Sequence, residues 1–275
     1  MVSSALAEPK VAVLSYHHVG SPLPGPHAWL TVSPRRFEAH VRWLAARGYQ
    51  GIRASDWLAW RVRGTPLPSK PVLLTFDDGY ADIGRYALPI LRRYGFSATV
   101  FVVTDLLGAT NQWMDGASPL LTPDAVRRWA AAGVEFGAHS RSHADLTALD
   151  AAAVLAEVQG SQAALAALLD RPVAAFAYPY GRYNAAVVEV VRRHFALAFT
   201  SDPGCNDRWT DPHRLRRTEV RRADYLFDVM CRVRLGQARG KRLRRRLARG
   251  HRQLGAALDQ LRAPLATASW WERRP

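Results

Sequence analysis

PVLLTFDDGY, residues 71–80, is an apolar run that ends abruptly in two adjacent carboxylates and a glycine. Residues 72–76 are too few for a helix, rich in β-formers and apolar on both faces, which predicts a buried parallel strand. Asp77 and Asp78 then sit at its C-terminal end, where an α/β fold gathers its loops and binds its ligands. Two unshielded carboxylates there call for a positive partner, and a metal ion is the obvious candidate. A single Asp would be accounted for as a helix N-cap. Two side by side, ahead of Gly79, point to function.

Working outward, residues 11–16 (VAVLSY) repeat the pattern: a short β-prone run that ends on His17 and His18. Between the two runs, 20–26 is loop, Ser33-Pro34 opens a helix that Gly48 closes, and a strand at 49–52 and a helix at 55–61 follow. Downstream, the pattern predicts helices at 81–94, 122–132, 150–169 and 184–194. Strands alternate with them at 97–103, 134–138, 173–178, 196–200 and 218–220. Such alternation predicts an α/β fold with a parallel sheet, open or closed into a barrel. Four of the strands end in chemistry-bearing residues: His17, Asp77 with Asp78, His139, and the turn at Pro179. That is the layout of a (β/α) barrel active site.

With 275 residues, 48% hydrophobic and 10% aromatic, the chain suffices for one sizeable core and a little over. We expect a catalytic domain over 1–235 and a basic, helical C-terminal extension over 236–275. The start does not have the pattern of a signal peptide, and there is no uninterrupted apolar run of membrane-spanning length, so a cytoplasmic location is the default expectation. The two cysteines form no framework. The net charge of +15 invites a nucleic-acid reading, but it is concentrated late, in RGKRLRRRLARGHR at 239–252. No specific nucleic acid is therefore expected. Leu243, Leu247, Leu254, Leu258 and Leu261 recur amid those arginines, so the extension reads as a basic amphipathic helix. It would dock on the barrel, lie on an anionic membrane face, or meet an acidic polymer. The oligomeric state stays open.

His139 and His143, in AHSRSH, are four apart, so a turn brings both imidazoles to one side. With one Asp they make a two-histidine, one-carboxylate set that suits Zn2+ in hydrolysis and also accepts Co2+, Ni2+, Mn2+ or Fe2+. Alone, the pair reads better as one surface and one core histidine; it gains weight only with Asp77-Asp78. A divalent metal lowers the pKa of water from about 15.7 to about 7, worth about 12 kcal/mol, whereas a general base supplies about 3–5 kcal/mol. One carboxylate should therefore ligate, and the other should take a proton from the attacking water.

These residues resemble the polysaccharide deacetylases of the NodB-homology, carbohydrate esterase 4 type. The TFDDG motif stands at 75–79, HSxxH at 139–143 and the PYG turn at 179–181. The resemblance covers roughly 10–225 and implies a distorted (β/α) barrel that removes acetyl groups from a glycan. It implies Asp77 as base, and Asp78, His139 and His143 as ligands of one divalent metal, most often zinc. It also implies a binding turn at Tyr178, Pro179 and Tyr180, whose Tyr180 backbone N–H stabilises the oxyanion. The family's late Leu-x-His motif has no match. The chain looks like the poly-N-acetylglucosamine deacetylase subgroup, whose barrel order is circularly permuted and whose acid is a histidine after tyrosine near the N-terminus. Tyr16-His17 matches, which makes His17 the acid; His18 is the alternative, since neighbours on a strand face opposite ways. The arginine that orients the base is replaced at the third motif by Ala175 and Ala177. Arg217, in LRRTEV, either takes that role or is one arginine among many.

Trp113, Met114, Tyr183 and Trp209 either line a sugar groove or belong to the core. The expected activity is N-deacetylation of an acetylated saccharide, whether polymer, lipid-linked sugar or small precursor. The alternatives are an O-acetyl esterase using the same site, or a catalytically silent carbohydrate- or nucleic-acid-binding protein. A binding module needs no general base, so Asp77 beside a full ligand set counts against silence.

Overall fold

In a computed structural model of the chain, which describes residues 8–22, 25–114 and 118–236, strands and helices alternate as the patterning requires. The strands are β1 (Val11–Tyr16), β2 (His18–Val19), β3 (Thr31–Val32), β4 (Gln50–Ile52), β5 (Pro71–Phe76) and β6 (Thr99–Val102). They continue with β7 (Glu135–Ala138), β8 (Ala175–Ala177), β9 (Leu197–Phe199), β10 (Cys205–Asn206) and β11 (Thr218–Glu219). The helices are α1 (Pro34–Ala46), α2 (Ala54–Arg63), α3 (Leu88–Arg93), α4 (Pro123–Ala131), α5 (Ala151–Leu169), α6 (Ala185–His194) and α7 (Leu226–Leu235). Side-chain caps open four of them: Ser33, Thr122, Asp150 and Asn184 each accept a backbone N–H three residues on.

The main sheet runs β10-β1-β5-β6-β7-β8-β9, with β4 added beside β5 and β11 beside β1. All its pairings are parallel except β1 with β10. That exception corrects the all-parallel expectation. Segment 205–206 returns alongside β1 with no helical crossover before it, and a parallel pairing needs one. The sheet curls into a distorted barrel. Its open side is bridged by residues 215–219: Leu215 pairs with Phe199 of β9, and Thr218 pairs with Leu14 of β1.

Every residue of β1 and β5 is buried because each strand has an apolar layer on both faces. Leu14, Tyr16, Leu74 and Phe76 face the helices. Val11, Val13, Leu73, Phe101, Ala175, Ala177 and Phe199 form a second cluster inside the barrel, joined by Trp57 and Trp60 of α2. Alternation therefore puts Ser15 and His17, and Thr75 and Asp77, on the interior face above this plug.

The helix expected at 81–94 starts with a π-helical turn, Ile83–Ala87, before α3. Pro89 supplies no N–H to the preceding turn, and the wider turn absorbs that loss. By length and composition α5 is apolar enough to cross a membrane. It is nevertheless a barrel helix. Val154, Val158, Ser161 and Leu165 are its buried stripe, and its Glu157 accepts hydrogen bonds from the backbones of Arg141 and Ser142. The unforeseen α7 packs on β1 and α1. The basic extension beyond Gly236 lies outside the described residues.

Candidate active site

The loops that follow β5 and β7 bring Asp78, His139 and His143 together, all three buried. His139 Nε2 lies 3.3 Å and His143 Nε2 3.2 Å from the same Asp78 oxygen, Oδ1. Bonds of about 2.0–2.1 Å to a tetrahedral ion set neighbouring donors about 3.3 Å apart, so the spacing fits a metal. The tautomer fits too. His139 Nδ1 lies 2.8 Å from the Ala177 carbonyl and donates to it, which turns Nε2 to the site, where it would offer its lone pair to a bound ion. Burial alone would raise the Asp78 pKa, yet hydrogen bonds from both imidazoles hold it well below the usual carboxylate range. Burial pushes the His143 pKa down. In His139 burial acts the same way but is outweighed by the Asp78 hydrogen bond, and its pKa is raised.

The backbone is strained where these side chains meet. Five non-glycine residues among those described have positive φ, and four of them are here: Asp78 (70°), Ser140 (63°), His143 (66°) and Tyr180 (58°). Such conformations cost of order 1–3 kcal/mol each and persist where the surroundings over-determine them, which is typical of active sites. Gly79 continues the same turn at φ 74°, and a Cβ there would lie 2.9 Å from Val102. Only glycine lets the turn pass so close to β6.

Asp77, beside this set, is held by a different apparatus. Arg217, 1% exposed, donates from Nη1 to Asp77 Oδ1 at 2.6 Å and to Thr75 Oγ1 at 3.3 Å, and from Nε to the Thr200 carbonyl at 2.9 Å. Phe101 and Phe199 flank its guanidinium. The small residues Ala175 and Ala177 line the same interior cluster. Burial would raise the Asp77 pKa, but the Arg217 charge outweighs it, so the carboxyl is held below its ordinary value. With Oδ1 engaged, Oδ2 faces the cavity. Ser15 Oγ is 3.5 Å from it and His17 Nε2 3.9 Å.

The structure separates the two neighbouring histidines. His17 lines the cavity, and its Nδ1 is 4.0 Å from Glu219 Oε1. His18 turns away: its Nδ1 pairs with Asp82 at 2.9 Å and its ring lies on Tyr80. The cavity has a volume of about 610 Å³, and Asp77, Asp78, His139, His143, Tyr178, Tyr180, Trp113 and Met114 all line it. Trp113 stacks on His143 with ring centroids 4.2 Å apart. Pro179 is buried in the turn, and the Tyr178 hydroxyl donates to the His213 carbonyl.

Two aromatic residues expected in the groove are elsewhere. Tyr183 packs on Tyr178 behind the turn, and its hydroxyl bonds Asp202. Trp209, 79% exposed, sits on the turn after β10, beside the start of β1. Its neighbours Arg208 and Thr210 bind Arg61 of α2 through their carbonyls. The sequence reading missed Ser15 and Glu219. For Ser15 a signal existed, since it is the one polar residue in β1 and shares a face with His17.

Residues 64–196 match the family model described as polysaccharide deacetylase. YxkH of Bacillus subtilis (strain 168), provisionally named a polysaccharide deacetylase, is 27% identical over 212 residues, 77% of this chain and 71% of that one. The poly-beta-1,6-N-acetyl-D-glucosamine N-deacetylase of Staphylococcus aureus is 24% identical over 173 residues, 59% of this chain and 58% of that one. Among solved structures, the Streptococcus pyogenes deacetylase PplD in complex with acetate aligns with a TM-score of 0.71 at 26% identity, covering 81% of this chain and 97% of that one. Over residues 64–196, then, the chain is similar to the polysaccharide deacetylase family. Its barrel is of the NodB type. The family model spans Asp77, Asp78, His139, His143 and the 179–181 turn; His17, Arg217 and Glu219 lie outside it.

Proposed function

We propose that this chain is a metal-dependent hydrolase that removes N-acetyl groups from an acetylated saccharide. The observation that carries the reading is the adjacency of two differently tuned carboxylates. Asp78 shares one oxygen with two imidazoles, and Asp77 is kept ionised by Arg217 with its other oxygen facing the cavity.

A divalent ion held by Asp78, His139 and His143, most often zinc for such a donor set, would act as a Lewis acid and make water a nucleophile near neutral pH. Asp77 Oδ2 takes the proton of the attacking water as its oxygen bonds to the acetyl carbon. Arg217 keeps Oδ1 occupied, so the proton arrives at Oδ2 and the carboxylate does not rotate. The Tyr180 backbone N–H donates to the oxyanion of the tetrahedral intermediate. When the carbon–nitrogen bond breaks, His17 Nε2 gives a proton to the leaving amine. The 3.9 Å between that nitrogen and Asp77 is too long for a direct hydrogen bond and leaves room for the reacting group. Acetate and a free amino sugar result.

The deciding experiment pairs elemental analysis of the protein and its Asp78→Ala variant with acetate release from matched N-acetyl and O-acetyl oligosaccharides. Near-stoichiometric metal lost in the variant, with acetate released from the N-acetyl substrate by the parent alone, is the expected result. Full activity of demonstrably metal-free protein would refute the reading.

A further inference from the structure

The cavity is also lined by residues that the proposed reaction does not use. Trp29 lines it and is 40% exposed, so its indole is accessible to a ligand. The residue is held in place. Its carbonyl accepts the Arg222 N–H at 2.8 Å, and the Arg221 guanidinium carbon lies 4.6 Å from its ring centroid. Arg221 Nε in turn donates to Glu219 Oε2 at 2.6 Å, while the other Glu219 oxygen is 4.0 Å from His17. Trp29 is thus held through Arg221 to Glu219, whose other oxygen stands near His17 without bonding it.

Tyr180, whose ring packs on His143, lines the same cavity. It is 51% exposed, with the Arg182 guanidinium 5.6 Å from its ring centroid and Arg182 paired with Asp145 at 2.5 Å. The cavity therefore carries two exposed aromatic rings, each beside an arginine that an acid holds in place. The face of an aromatic ring is apolar and electron-rich, and the C–H face of a pyranose ring is apolar with a partial positive charge, so the two stack.

We propose that Trp29 is a sugar-binding platform, held by the Arg221–Glu219 pair, for the ring next to the one whose acetyl group is removed. The inference rests on the proposed reading of the site. It makes Trp29 a residue that selects linked sugars over single ones.

The test uses the full chain carrying Asp77→Asn, loaded with zinc, so that binding is read without turnover. Calorimetry follows N-acetylglucosamine and its β-1,4- and β-1,6-linked tetrasaccharides in this protein and with Trp29→Ala or Trp29→Phe added. The expected result is a tetrasaccharide affinity about tenfold lower with Trp29→Ala and largely restored with Trp29→Phe. The preference for tetramer over monomer should collapse in parallel. Thermal midpoints of the variants check that each is folded. Unchanged tetrasaccharide affinity in folded Trp29→Ala, or failure of Trp29→Phe to restore it, would overturn the platform, as would absence of saccharide binding to any form. If the parent chain releases no acetate while the binding pattern holds, the hydrolase reading fails and the platform stands.

Discussion

The ligand side of the cavity and its acid–base side are assembled in different ways. Asp78, His139 and His143 leave the ends of β5 and β7, and two of the three lie within one short loop. Their positions follow from local backbone, including the left-handed turns at Asp78, Ser140 and His143. The partners of Asp77 are Ser15 of β1 and Arg217, the latter 140 positions away. One side is specified by short motifs. The other exists only because the barrel closes through 215–219, which carries Arg217 over the interior of the sheet.

If that contrast holds, damage to the two sides should read out differently. The largest effect belongs to Asp78→Ala, which should lower both metal content and acetate release to background; retained metal with retained activity would break the ligand assignment. Asp77→Asn should keep the metal and lose about 10²–10⁴-fold in kcat, the usual contribution of a positioned base. Elemental analysis beside kinetics distinguishes the two variants, although the two residues are adjacent. His17→Ala should lose a similar factor, whereas His18→Ala, which removes a ring outside the cavity, should change kcat severalfold at most.

Arg217→Ala sharpens the comparison, because it acts on the base without touching the ligands. Breaking a buried ion pair costs about 3–5 kcal/mol of stability, read as a shift in the denaturation midpoint. In any folded fraction the Asp77 pKa should rise, since the charge that depresses it is gone. Activity requires the ionised base, so the acidic limb of the pH–rate profile should move to higher pH. An unmoved limb would mean that Arg217 is only structural.

The smallest effect concerns His40, in α1 against the outer face of β1, with its Nδ1 3.3 Å from the Tyr16 hydroxyl. Burial pushes its pKa down to about 4 from the ordinary 6.5. Between those values the unfolded chain binds the proton and the folded chain does not. Its contribution is therefore present above about pH 6.5 and is lost as pH falls toward 4, up to about 3 kcal/mol. Urea midpoints at pH 7.5 and 4.5 should show the loss, and His40→Gln should flatten it.

The strand–helix alternation and four caps were legible in the sequence because each depends on neighbours within a few residues, and Asp78 and His139 stood out because each directly follows a strand. The turn at Ile83–Ala87 was not, since propensity shows that a helix forms but not how Pro89 is accommodated. Trp209 illustrates the same limit from the other side. An aromatic residue in a loop looks like a groove residue until pairing of β10 with β1 places it near the strand starts.

By itself, the sequence determined that Asp77, Asp78 and His139 stand at strand ends, because residue type and two-residue alternation are local properties. Only the tertiary structure decided that His17 rather than His18 faces the cavity, that Arg217 is the partner of Asp77, and that Trp29 lines the cavity. Those depend on how the sheet curls and where its last segment closes it, and no short-range pattern encodes a contact 140 residues apart.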